Sequence, residues 1–284
     1  MNHSFQLCVF AYNLENTIQQ SLKSLIDSCG QYRPDIYVMV NGCKDNTYQK
    51  VANLTQVYSS IIPIEIQLGD KSNAWNTFVH QYYDGYSVVV FADGDLTFEE
   101  NAVANIVDYF QLNHSYLAVC GFPCLKGRGA KALRAGLLRE HHFTGNLYLL
   151  APEFLKNVIA QKVCLPTGLI GDDSMLGFLS ATNLCSGADK PSDNISVCTN
   201  AVYIYEPLKL TSLKDIKLYL RRRVRYSKRY MQQSNIVPQL KRYGLKAMPE
   251  YAAQIDQLHI RWLSSNVIFD LLAAWSIRQE RSRS

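Results

Sequence analysis

Apolar runs of five or six residues, rich in β-branched side chains, recur early in the chain at residues 5–10, 35–40, 64–68 and 87–92. A polar turn and a segment with helical apolar spacing come after each run. The first such segment carries Ile18, Leu22, Leu25 and Ile26, with Asn13 placed to cap it and Gly30 to stop it. Val51, Leu54 and Val57 mark the second, and residues 71–81 form the third. Val103, Ile106, Val107 and Phe110 mark a fourth within residues 99–112. Few architectures accept this alternation. Parallel strands need crossover helices, so the pattern predicts an α/β fold with a mostly parallel sheet flanked by helices. Residues 87–92 are the most apolar run, as expected of a strand buried on both faces.

Beyond residue 112 the periodicities are weaker. Residues 117–122, 146–150 and 202–205 read as further strands, and the basic segment 126–140 as a loop entering a helix. Residues 212–233 read as a long basic helix, and Pro238 and Gly244 punctuate the segment after it. Residues 251–277 fit one or two amphipathic helices in which Trp262, Leu271 and Trp275 are expected to pack. A boundary near Glu206 and Pro207 divides a domain at 1–206 from a basic, mainly helical region at 207–284.

Charge supports that division. The 284 residues carry a net charge of +5, yet residues 209–246 hold twelve Lys/Arg against the single acid Asp215. An acidic-leaning body therefore bears a basic C-terminal segment. The eight cysteines contain no Cys-x-x-Cys pair, which argues against a zinc ribbon. Cys120 and Cys124 are expected to be core or loop residues. The start of the chain lacks a basic, apolar leader, and residues 262–277 contain Asn266 and Asp270. These features predict a cytoplasmic protein, or one peripheral at a cytosolic membrane face.

The sharpest chemical signal is Phe91-Ala92-Asp93-Gly94-Asp95, an apolar strand that ends in two carboxylates. Residues i and i+2 of an extended chain point the same way. Asp93 and Asp95 would share one site at the carboxyl edge of the sheet, where open α/β folds bind ligands. Hard oxygen donors there suit Mg²⁺ or Mn²⁺ shared with a diphosphate, and an acidic turn is the plainer alternative. Asp172 and Asp173 sit at a helix start, as caps or as carboxylates kept ionised by the helix dipole. Residues 41–47 and 71–76 are polar turns directly after strands. His141 and His142 lack a matched partner for metal binding and are expected to be structural.

In this order the segments resemble the family-2 glycosyltransferases, over about residues 7–226. Ala11-Tyr12-Asn13-Leu14-Glu15 is similar to the family's opening Pro-x-Tyr-Asn-x-Glu. Residues 41–47 resemble its Asp-Asn-Gly-Ser-x-Asp-x-Thr turn, with Val40 in place of the first acid, and residues 71–76 its Lys-x-x-Ala-x-Asn element. Asp93-Gly94-Asp95 matches the metal-binding Asp-x-Asp, and Gly145-Asn146 resembles the Gly-Gly or Gly-Asn before the next strand. Asp172-Asp173 matches the Glu-Asp pair, and Arg225-Tyr226 resembles the end of Gln-x-x-Arg-Trp, with Arg222 where glutamine would be.

The resemblance implies a Rossmann-like GT-A fold. It also implies metal-dependent, inverting transfer of one sugar from a nucleotide-diphosphate sugar, expected to be a UDP-sugar, to a hydroxyl of a glycan or lipid-linked glycan. On this reading Ala11, Tyr12, Asn13, Glu15, Asn41, Asp45, Lys71, Asn76, Asp93 and Gly94 contact the donor nucleotide. Asp95 and Asp93 hold Mn²⁺ or Mg²⁺. Asp173 is the base, with Asp172 the alternative. Gly145, Asn146, Arg222, Arg225 and Tyr226 meet the acceptor or diphosphate. The substituted Gln-x-x-Arg-Trp element argues for single-sugar transfer over processive synthesis. A nucleotidyltransferase is disfavoured because no Gly-rich basic loop comes after the first strand. The competing reading is a membrane- or nucleic-acid-binding module built on the basic helix. It leaves the four acids unexplained, which argues against nucleic acid as the partner.

Overall fold

The computed structural model describes residues 5–124, 128–186, 191–205 and 213–282. Its first half is β1 (Phe5–Ala11), α1 (Ile18–Asp27), β2 (Asp35–Asn41), α2 (Thr47–Leu54), β3 (Ile61–Ile66), α3 (Lys71–Thr77), β4 (Val88–Asp93), β5 (Thr97–Phe98) and α4 (Ala102–Leu112). A π-helical turn at Phe78–Tyr82 extends α3. The second half is β6 (Ala118–Pro123), α5 (Arg128–Glu140), β7 (Leu147–Leu150), α6 (Pro152–Ala160), α7 (Asp172–Ala181), α8 (Pro191–Asn194), β8 (Ile195–Ile204), α9 (Leu213–Tyr243) and α10 (Val267–Arg281).

The strands form one sheet in the order β3-β2-β1-β4-β7-β6-β8-β5. β3, β2, β1 and β4 run parallel, as do β6 and β8. The strand β7 is antiparallel to both β4 and β6, and β5 is antiparallel to β8. The α/β class and helical C-terminal segment are as expected, with a more mixed sheet in the second half. β1 lies between β2 and β4, so chain order reverses there. The carboxyl ends of these strands open a crevice at that switch point.

The core explains the strand assignments. All seven β1 residues are buried, and β4 is buried from Val89 to Ala92. Phe91 stacks on Tyr148 at 4.9 Å, and Phe143 meets Tyr148 at 4.9 Å. These rings join β4 to β7 beneath the crevice.

Several local expectations change. Thr17, not Asn13, precedes α1, because Asn13 adopts a left-handed φ of 52° and accepts a hydrogen bond from the Lys44 amide at 2.8 Å. The strand β3 begins three residues earlier than residue 64. Val57 lies past the end of α2 and is exposed. Pro238 does not interrupt α9, which runs to Tyr243 with Met231, Ile236 and Leu240 buried along one side. Packing there outweighs the lost backbone donor. Residues 251–266 are not helical. Their backbone is held from outside, by the bridge from Tyr251 to Thr167 and by Asn235, which pairs with both backbone groups of Gln257. Trp262, Leu271 and Trp275 do not pack into the core; all three are exposed. The boundary expected at Glu206 and Pro207 lies outside the described residues. All eight cysteines are free, with Cys120 buried and Cys124 half-buried.

Candidate active site

Two adjoining hollows of about 500 and 620 Å³ form a cleft over the switch point. Phe10 and Tyr12 reach it from the end of β1, Asn41 from β2, and Gly69, Asp70 and Lys71 from the turn after β3. Asp93 and Asp95 come from the end of β4. Ile170 and Asp172 close it from the start of α7, and Leu218, Arg221, Arg222, Arg225, Tyr226 and Arg229 from α9.

Close backbone packing fixes the cleft. Gly42 has a φ of +61°, and a side chain there would meet the Gly69 backbone at 2.3 Å. The turns after β2 and β3 therefore lie against each other. The Gly94 amide donates to the Phe10 carbonyl at 2.9 Å, where a Cβ would stand 2.8 Å from that oxygen. This contact holds Asp93 and Asp95 beside β1.

Lys71 is the electrostatic hub. Its ammonium lies 2.7 Å from Asp93 and 3.3 Å from Asp172. Burial works against that charge, yet Asp172 and Asp93 together hold the Lys71 pKa well above its usual value. Burial pushes the Asp93 carboxyl up to about 6, with Lys71 pulling the other way. Asp93 also accepts from the Asn146 amide at 3.3 Å. Asp95 is exposed and forms no ion pair among the described residues.

Asp173 borders the cleft as well. It lies between the cleft and a separate cavity of about 690 Å³ whose lining includes His142, Phe143, Thr144, Phe178, Val237 and Lys241. Arg229 reaches Asp173 at 3.3 Å and donates to the Ser174 hydroxyl. Burial raises the Asp173 carboxyl above its ordinary value, and Arg229 opposes the rise. Two glycines make room: a Cβ on Gly145 would stand 2.7 Å from that of Asp173, and one on Gly171 would stand 2.6 Å from Arg229. Left-handed Gly171 holds the cap position of α7, and the Asp173 carboxylate accepts from the adjacent Ser174 amide at 2.8 Å.

The cleft thus brings together Tyr12, Asn41, Lys71, Asp93, Asp95, Gly145, Asn146, Asp172, Asp173, Arg222, Arg225 and Tyr226. Other sequence candidates stand outside it. The Ala11 carbonyl accepts from the Asn41 amide at 3.1 Å, so this residue anchors Asn41. Asn13, Glu15 and Asp45 tie the loops after β1 and β2 together, with the Glu15 carboxylate accepting from the Asn46 amide at 3.0 Å. Burial alone would raise the Asp45 carboxyl, but hydrogen bonds from Thr47 and from the Glu15 amide hold it low. Asn76 points away and clamps both backbone groups of Leu165 at 2.9 and 2.8 Å. His141 and His142 line the second cavity, where His141 bonds the Ile195 carbonyl and His142 pairs with Glu140. Sequence reasoning missed Arg229. It belongs to the basic run but lies four residues past Arg225, one helical turn further along α9.

The donor set suits Mn²⁺ or Mg²⁺. Two carboxylates supply hard oxygens on one side, and no cluster of three or more acidic, histidine or cysteine ligands occurs among the described residues. An incomplete protein shell finished by substrate phosphate oxygens is the usual arrangement for such ions.

Residues 7–155 match the model of the family described as glycosyl transferase family 2. The chain belongs to that family and is a glycosyltransferase. No curated protein sequence matches it. Among solved structures, it resembles a mannosyltransferase, PcManGT of Pyrobaculum calidifontis, in complex with GDP-Man and Mn²⁺. The two are 17% identical, with 98% of this chain and 75% of that one covered and a TM-score of 0.62. S. aureus TarS 1-349 in complex with UDP-GlcNAc is 13% identical, with 99% and 92% covered and a TM-score of 0.54. Glucosyl-3-phosphoglycerate synthase of Mycobacterium tuberculosis, in complex with Mn²⁺, UDP-glucose and phosphoglyceric acid, is 18% identical, with 79% and 78% covered and a TM-score of 0.52. At these identities the likenesses establish the GT-A fold.

Proposed function

We propose that this glycosyltransferase moves one sugar from a nucleotide-diphosphate donor to an acceptor hydroxyl, with inversion at the anomeric carbon. The observation that carries this reading is the position of Asp173, between the cleft and the second cavity. The donor occupies the cleft, with its nucleoside against Tyr12 and Asn41 and its diphosphate toward Asp95 and Arg225. The acceptor reaches Asp173 from the second cavity.

Each residue has a physical task. Lys71 pairs with both Asp93 and Asp172 and holds them apart. Asp93 is left to orient the ribose, and Asp95 is the principal metal ligand. A bound Mn²⁺ or Mg²⁺ supplies charge neutralisation for the departing diphosphate. Arg222 and Arg225 add fixed positive charge on the same side. Asp173 accepts the acceptor's hydroxyl proton as the new oxygen–carbon bond forms and the bond to the diphosphate breaks. A carboxylate suffices because the hydroxyl becomes acidic late in a reaction led by bond breaking. Arg229 and Gly145 hold that carboxylate in place.

Neighbouring structures hold both uridine and guanosine donors. Val40 is buried and offers no polar side chain, which leaves Asn41 and Tyr12 to meet the base. A thermal-shift panel of nucleoside diphosphates and their sugars, with and without Mn²⁺, tests the donor site. One nucleotide should stabilise the wild type only with Mn²⁺, and Asp95→Asn should lose the shift. A nucleotide shift unchanged in Asp95→Asn contradicts the assignment.

A further inference from the structure

The residues expected to pack the C-terminal core are exposed instead. Ile268, Leu271, Leu272 and Trp275 fall on one stripe of α10 at helical spacing, and all are exposed. Trp262 and Leu263 precede the helix, with Trp262 67% and Trp275 63% exposed. Single exposed apolar residues need no explanation, but a patch with two tryptophans does.

A second stripe joins it. On α9, Ile216, Tyr219 and Leu220 are exposed. Arg223 links the two helices: it donates to the Tyr219 hydroxyl at 3.0 Å and to the Asn266 amide oxygen at 2.6 Å, and lies 4.8 Å from the centre of the Phe269 ring.

Charge around the patch identifies its occupant. Residues 213–282 carry fourteen Lys/Arg against five Asp/Glu. Two of those acids are spent internally, Asp270 on Arg261 and Glu280 on Lys228. Lys217 on α9 and Arg278, one turn past Trp275 on α10, are exposed and form no ion pair among the described residues. A two-fold contact between copies of this face would set these cations against each other. An anionic bilayer complements both properties, taking aromatic and aliphatic side chains at headgroup depth and cations at its surface. With fifteen residues, α10 is too short to span a bilayer, and no helix among the described residues is long and apolar enough to cross one. It would lie in the interface.

We propose that the exposed face of Trp262, Leu263, Ile268, Leu271, Leu272 and Trp275, with the flanking cations of α9 and α10, docks the enzyme on an anionic lipid surface. The inference goes beyond the catalytic reading. Leu218, Arg221, Arg222 and Arg225 line the cleft from the side of α9 opposite Ile216, Tyr219 and Leu220, so the docking face and the site lie on different sides of this helix.

The test is co-sedimentation of the full chain with vesicles of phosphatidylcholine alone or mixed with phosphatidylglycerol, without donor or metal. Tryptophan quenching by brominated lipid is read in parallel. Trp75 is buried, so quenching reports Trp262 and Trp275. The wild type should bind the anionic vesicles at least about tenfold better than the neutral ones and lose binding in high salt. Trp262→Ala with Trp275→Ala, and separately Leu271→Glu, should each weaken binding about tenfold or more with an unchanged circular dichroism spectrum. Arg278→Glu should weaken binding to anionic vesicles alone. Absence of vesicle binding overturns the proposal. So does a wild-type dimer that Leu271→Glu dissociates, which would assign the face to a second copy. Donor binding, measured without vesicles, is unaffected by either outcome and keeps the catalytic reading separately testable.

Discussion

An alanine at Gly145 tests the placement of Asp173 without touching any titratable group. The added Cβ would lie 2.7 Å from the Asp173 Cβ and 3.6 Å from its Cα. Carbon atoms in ordinary contact sit about 3.5–4.0 Å apart, so Asp173 must retreat by about 1 Å. Rotation about χ1 moves only the carboxylate, not the Cβ, so the start of α7 has to shift. A misplacement of about 1 Å can cost about 10²-fold in rate, or about 2.7 kcal/mol of barrier. The overpacking itself destabilises by about 1–3 kcal/mol, which a domain of this size survives. The assay is release of nucleoside diphosphate with the donor selected by thermal shift, together with the donor Kd and Tm. Gly145→Ala should lower kcat about 100-fold while leaving the donor Kd nearly unchanged. A folded Gly145→Ala enzyme with wild-type kcat refutes the reasoning, because the base cannot both sit against Gly145 and ignore a methyl group there.

The ion pairs carry further expected outcomes. Arg229→Ala removes the charge that opposes the raised Asp173 pKa, so the acid limb of kcat should move to higher pH, and Arg229→Lys should move it back; an unshifted limb in Arg229→Ala counts against Asp173 as the base. Lys71→Met leaves Asp93 and Asp172 facing each other without a cation, and should weaken donor binding and lower Tm, both read by calorimetry. Asp270 is fully buried and accepts from Arg261 at 3.0, 2.9 and 2.6 Å, so Asp270→Asn should cost about 2–4 kcal/mol in urea denaturation. Burial would raise the Asp270 carboxyl, but the Arg261 hydrogen bonds hold it below its ordinary value. Its contribution is therefore present above the unfolded pKa of about 3.9 and is lost as pH falls through the lower folded value. Acid unfolding of Asp270→Asn should lack that component.

The first half of the fold was legible because each signal there is local. A strand buried on both faces must be apolar throughout, as Val89 to Ala92 are, and a crossover helix must show one apolar stripe. The two carboxylates after β4 needed only the two-residue period of a strand to be placed together. The second half depends on long-range contacts that leave no period. α9 passes through Pro238 because Met231, Ile236 and Leu240 are buried around it. Residues 251–266 hold their shape through Thr167 and Asn235. Arg229 was hidden among similar arginines, and only the helix phase, together with the space left by Gly171, directs it to Asp173. Asn76 shows the converse. Its spacing matched a donor-binding element, yet its amide serves the Leu165 backbone. The apolar residues of α10 gave a correct helix and a wrong environment, since amphipathic spacing does not say which neighbour covers the face.

The central claim is that Asp95 belongs to donor binding and Asp173 to chemistry. Calorimetric donor titration with Mn²⁺, paired with nucleoside diphosphate release, separates them in two variants. Asp173→Asn should keep the wild-type donor Kd and lose turnover, whereas Asp95→Asn should lose the Mn²⁺-dependent part of the affinity. Wild-type turnover by Asp173→Asn, or undiminished Mn²⁺-dependent binding by Asp95→Asn, would contradict the claim.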